Sequence, residues 1–130
     1  MKAFKVGFVL AILALSLSAG GADAQGLQLP LISVTPTSVS FGNVPVYAVA
    51  TESIVVTNDS ADSPLVVSAV KTKAPFSEAV TSFTLQPGES RRIDIAFAPT
   101  ATVSYNGTCT IQSNANNAPV LHVPLSGTGI

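Results

Sequence analysis

The 130-residue chain has no tryptophan, one cysteine, one histidine and only 10% charged residues. Each shortage excludes something. With Cys109 alone, no intrachain disulfide can form, so the fold rests on its core without a covalent tie. A zinc site built on His122 lacks the two or three further ligands it needs. The same shortage leaves the plentiful serines and threonines without a base and an orienting group, so no nucleophilic triad is available. Six lysines and arginines against seven acids give a net charge of −1. That balance provides no electrostatic footprint for nucleic acid or for an anionic membrane. Finally, no stretch from Ser33 to Gly129 has the periodicity of a helix.

What is present begins with a leader. Lys2 and Lys5 form a positive start, Phe8 to Leu17 is an apolar run too short to span a bilayer comfortably, and Ala22-Asp23-Ala24 is a small-x-small cleavage pattern. Cleavage is expected between Ala24 and Gln25, which makes residues 1–24 a signal peptide. No cysteine lies near that point to accept a lipid. The remaining 106 residues suffice for one domain with a single core and carry a net charge of −2. The expected address is extracytoplasmic, secreted or periplasmic, with no membrane association after cleavage.

Residues 25–31 read as an extended lead-in, with Pro30 ruling out a regular start. From residue 32 onward, short alternating apolar segments are cut by turn signals. Ser33 to Phe41 alternates around Pro36, which places it at a sheet edge or at a crossing between sheets. Gly42-Asn43 is expected to turn the chain. Thr51 to Thr57 puts Ile54 and Val56 on one face, and Leu65 to Val70 puts Leu65 and Val67 inward. Phe76 is expected to plug one end. Ser82 to Leu85 leads into the Gln86-Pro87-Gly88-Glu89 turn, where proline fixes one φ angle and glycine supplies a positive one. Arg92 to Phe97 turns Ile93, Ile95 and Phe97 inward. Asn106-Gly107 is expected to turn ahead of Thr108 to Gln112, where Cys109 shares parity with Ile111 and reads as core. In Val120 to Leu125, Pro124 marks an edge. The pattern predicts a seven-stranded, antiparallel, immunoglobulin-like β-sandwich.

Read in order, the landmarks are Thr35-Pro36-Thr37-Ser38-Val39-Ser40-Phe41-Gly42-Asn43-Val44, Val55-Val56-Thr57-Asn58, Leu85-Gln86-Pro87-Gly88-Glu89, Phe97-Ala98-Pro99, Gly107-Thr108-Cys109-Thr110-Ile111 and Val123-Pro124-Leu125-Ser126-Gly127-Thr128-Gly129. This set resembles the ASH/Hydin family of immunoglobulin-like domains, and in bacterial exported proteins the choice-of-anchor D type. The resemblance spans residues 32–130. It implies a sandwich related to the major sperm protein fold and more loosely to periplasmic pilus chaperones. It also implies a non-enzymatic module without cofactor or metal. Two positions depart from the family pattern. Tyr47 stands where glycine is common, and Cys109 where leucine is common.

The remaining polar groups read as structure. Asn58, Asp59 and Asp62 lack calcium-loop spacing and are expected to form Asx turns. Arg91 and Arg92, beside Glu89 and Asp94, read as strand-edge charges that discourage edge pairing. Asn58-Asp59-Ser60 and Asn106-Gly107-Thr108 match the short glycosylation sequon. The expected function is that of an exported structural or protein-binding module using a sheet edge or the loops at one end. The competing reading is a small carbohydrate-binding module with Tyr47 and Tyr105 as its surface contacts.

Overall fold

The computed structural model describes residues 27–130; the leader and its cleavage point at Ala24 and Gln25 lie outside the described residues. Nine strands follow one another: β1 (Ile32–Thr35), β2 (Val39–Val44), β3 (Ala50–Asn58), β4 (Leu65–Lys71), β5 (Phe76–Glu78), β6 (Phe83–Leu85), β7 (Ser90–Phe97), β8 (Ser104–Ser113) and β9 (Val120–Gly129). They form two facing sheets, one ordered β1-β3-β7-β5 and the other β2-β9-β8-β4-β6.

The all-β sandwich holds, with corrections to count and direction. The segment from Ser33 to Phe41 crosses between the sheets at Pro36, as its proline suggested, and so counts as two strands, β1 in one sheet and β2 in the other. Proline has no N–H to carry a ladder across the crossing. A three-residue strand at Phe76 was too short to show alternation, and it accounts for the ninth element. The sandwich is not wholly antiparallel, because β2 runs parallel to β9, from Val39 opposite Leu125 to Val44 opposite Gly129. Gly42 does not turn the chain. It lies inside β2 at φ 68°, where the register shifts between Ser40 and Asn43, as glycine permits at a bulge.

Asn106-Gly107 is also not a turn. Both residues lie within β8, opposite Ser126 and Leu125. A β-carbon on Gly107 would stand 2.9 Å from the Phe76 ring, so glycine serves packing there. By contrast, the Gln86–Glu89 turn forms as expected. Glu89 N donates to Gln86 O at 3.0 Å, and Gly88 takes φ 81°.

The core follows the parity read from the strands. Ile54, Val56, Ile93, Ile95 and Phe97 from one sheet meet Leu65, Val67, Cys109, Ile111, Val123 and Leu125 from the other, all buried. Fully burying each large aliphatic side chain contributes about 1.5–3 kcal/mol, which replaces the missing disulfide. Phe41, Phe76 and Phe97 close one end, with Phe76 stacked on Phe97 at 5.0 Å and Phe41 tilted against Phe97 at 5.5 Å. The expected end plug at Phe76 is therefore a three-ring cluster.

The other end is tied by Asn58, a fully buried polar side chain. Its Oδ1 accepts from Ser60 N at 2.9 Å. Its Nδ2 donates to Ser63 O at 2.8 Å and to Leu85 O at 3.1 Å, which joins the two sheets. The Asx reading thus holds at Asn58, which does more than turn the chain, whereas the Asp62 carboxylate accepts from Gln28 N.

Candidate interaction surface

Strand direction gives the sandwich two unlike poles. At the N-terminal pole sit the lead-in, the loop after Asn58, the Gln86–Glu89 turn and the loop from Asn114 to Pro119. At the opposite pole sit the Val44–Val49 connector, the Lys71–Phe76 crossing and the loop from Ala98 to Val103.

The lead-in is a strap held by polar bonds. Gln28 N donates to Asp62 Oδ2 at 2.8 Å, and Gln28 Oε1 accepts from Ala61 N at 2.7 Å. Pro30 O accepts from Asn116 N at 2.8 Å and Leu31 O from Asp59 N at 3.1 Å. Alternation along this extended segment leaves Leu27 (78% exposed) and Leu29 (58%) facing water.

At the opposite pole, Tyr47 is 82% exposed and takes φ 67°, a left-handed conformation that favours glycine. Its N–H donates to Pro99 O at 2.9 Å. This explains the departure from the family pattern: a glycine position carries a tyrosine whose side chain makes no packing contribution. Tyr105 lies differently. It is half-buried, with its ring edge-on to Phe97 at 5.7 Å, and it lines a depression with Pro75, Phe76, Ala98 and Thr100. A second depression, of about 590 Å³, adjoins it through Ala74 and Phe76 and is rimmed by Lys71, Lys73, Asn106, Thr108 and Thr110. Together they form an open groove with an apolar floor and a cationic rim. Sequence reasoning missed this groove, because it joins the crossing after β4 to the outer side of β8, two segments more than 30 residues apart.

Among the described residues, strand edges are open along part of their length at β3, β9 and β7, among others. β1 pairs only residues 55–58 of β3, so Ala50–Ile54 has no neighbour on that side. β2 begins pairing at Leu125, so Val120–Pro124 is flanked by β8 alone. β5 pairs β7 only from Ile95 onward. These edges carry Glu52, then His122 and Pro124, then Arg91 and Arg92, residues that oppose strand addition. Arg92 Nε donates to Asp94 Oδ1 at 2.9 Å, and this bond, with a second from Ser53 Oγ, holds the Asp94 carboxyl below its ordinary range. Arg91 lies over the Phe83 ring at 5.6 Å.

Other singled-out residues are accounted for locally. His122 is exposed, with Thr110 Oγ1 3.3 Å from its Nδ1. Cys109 is buried, and desolvation pushes its thiol up to about 11. Among the described residues no three acids, histidines or cysteines gather as a metal group.

A family model described as Cep192 domain 4 matches residues 29–130. The chain belongs to that family. This Cep192-type domain shares its fold with the ASH / PapD-like domain of human CEP192 (PapD-like domain 7). The two superpose with a TM-score of 0.69 at 13% identity, over 89% of this chain and 98% of that one. SSP-19, an MSP-domain-like protein of Caenorhabditis elegans, gives 0.59 at 13% identity over 75% of this chain and 99% of that one. The E. coli chaperone DraB gives 0.61 at 15% identity, over 78% of this chain but 57% of the chaperone. No curated protein matches the chain in sequence. At such identities the likeness is one of fold: an ASH/PapD-like, immunoglobulin-like sandwich, of a kind that is generally non-catalytic.

Proposed function

We propose that this Cep192-type domain is an exported, non-enzymatic module that binds protein at the cell surface or in the periplasm. The observation that carries the reading is the face formed by Tyr47 and the groove beside Lys71, Lys73, Phe76 and Tyr105. An apolar floor with a few polar groups at its rim is the composition of a recognition surface. The left-handed tyrosine supports it, since strained backbone under an exposed side chain is a cost that folding alone does not require. The leader pattern supports export.

Two measurements test this. The amino terminus of the exported protein, read by mass spectrometry, is expected at Gln25. A photo-crosslinking residue placed at Tyr47 or Thr100 is expected to trap a protein adduct in the source cell. A glycan array is run in parallel, with Tyr47→Ala and Tyr105→Ala as controls. Saccharide binding lost in both variants, without a protein adduct, would replace the proposal with the carbohydrate reading.

A further inference from the structure

We propose that the partner of the groove is a second copy of this chain, joined head to tail through the leucine strap of its N-terminal pole. The inference rests on the protein-binding reading above and names its occupant.

The two surfaces complement each other in shape and charge. The strap offers Leu27 and Leu29 on one side, about 7 Å apart in an extended segment. The groove offers two adjoining depressions of about 470 and 590 Å³ that share Ala74 and Phe76. Acids surround the strap: Asp59 and Asp62 in the loop that holds it, and Glu89 in the neighbouring turn, all exposed. Lysines rim the groove: Lys71 and Lys73, both exposed. Beside the groove, Glu78 is half-buried and accepts a 2.6 Å bond from Thr72 Oγ1. At the strap's pole Arg91 is the opposing charge, lying over the Phe83 ring at 5.6 Å, and it is outnumbered by Asp59, Asp62 and Glu89. Opposite signs thus meet when pole faces groove, and like signs meet when either surface faces itself.

That arrangement is heterologous. Strap and groove lie at opposite ends of the sandwich, so one contact leaves a free strap on one copy and a free groove on the other. The product is a growing row and not a closed pair. The strap is suited to this because its backbone is already fixed by the bonds of Gln28, Pro30 and Leu31, so docking the leucines orders little new chain.

Charge exchange tests the idea on residues 25–130, which hold every buried core residue described above. The wild-type chain is expected to self-associate with concentration in sedimentation equilibrium, and less so at high salt. Lys71→Glu with Lys73→Glu, and separately Asp59→Lys with Glu89→Lys, two acids whose carboxylates make no bond to the strap, are each expected to weaken association about tenfold or more. Mixing the two variants is expected to restore growth as alternating rows of equal composition, since the reversed groove fits the reversed strap and the unaltered strap of one variant still fits the unaltered groove of the other. Leu27→Ser with Leu29→Ser is expected to abolish association at unchanged melting temperature, which separates docking from folding. A wild-type chain that stays monomeric overturns the proposal, as do reversed variants that associate like wild type or a mixture that does not recombine. The crosslinking test is read separately: an adduct with the mass of two copies supports the proposal, whereas a monomeric chain with an adduct of another mass overturns it and leaves the protein-binding reading standing.

Discussion

Phe97 lies across the backbone of Gly127, with its Cε2 2.5 Å from the point where a β-carbon would stand. The ring is wholly buried, is stacked on Phe76 and meets the edge of Tyr105, so it has nowhere to retreat. Gly127→Ala is therefore expected to lower stability by about 1–3 kcal/mol in urea unfolding, the usual penalty of overpacking. Gly107→Ala, against the Phe76 ring at 2.9 Å, is expected to act in the same direction.

The fully buried Asn58 side chain makes three hydrogen bonds, two to the loop that follows it and one, to Leu85 O, that joins the sheets. Asn58→Ala leaves two carbonyls and one N–H unpaired at that spot. Such groups cost about 1–3 kcal/mol each when water cannot reach them. A loss of about 2–4 kcal/mol is expected in denaturant melts, well above that of the exposed neighbour Asp59→Ala.

Cys109 ionises near 9.0 when free and is pushed up to about 11 by burial in the fold. Between those values the unfolded chain has lost the proton and the folded chain keeps it, so stability falls as pH rises from about 9 to about 11. Cys109→Ala is expected to flatten that part of the pH profile. A thiol reagent at pH 8 is expected to leave the folded protein unlabelled and to react fully in denaturant.

Tyr47 occupies left-handed backbone while its side chain faces solvent. Tyr47→Gly relieves the backbone but adds freedom to the unfolded chain, so the net change in stability is expected within about 1 kcal/mol, favourable or neutral. Tyr47→Val, which is stiffer in that region, is expected to destabilise. Calorimetric melting of the two variants distinguishes these outcomes.

Of the two sequons, Asn106 is exposed on β8 and Asn58 is fully buried. Expressed through a eukaryotic secretory pathway, the folded protein is expected to carry glycan at Asn106 only. Peptide mapping of the soluble and aggregated fractions checks this.

Strands whose alternation runs five residues or more were legible in the sequence. Ile54 and Val56, then Ile93, Ile95 and Phe97, announce their inward face because burial on one side imposes a period of two. Glycine was legible only where its conformation matters. Gly88 could be read from the proline before it, but Gly107 and Gly127 are set by rings from strands remote in sequence, and nothing local signals that. The parallel pairing of β2 with β9 is equally non-local. The candidate surface was half legible. Tyr47 stood out against the family pattern, whereas the groove exists only once the crossing after β4 lies beside β8.

The parallel pairing also fixes an order of events. Val39 meets Leu125 across most of the domain's length, and β9 then fills the gap between β2 and β8. The keystone of the larger sheet is the last of these nine strands to be synthesised. Until it arrives, the earlier strands hold greasy faces with nothing to shut against. A message cut short before Val120 should therefore yield protease fodder in place of a smaller domain.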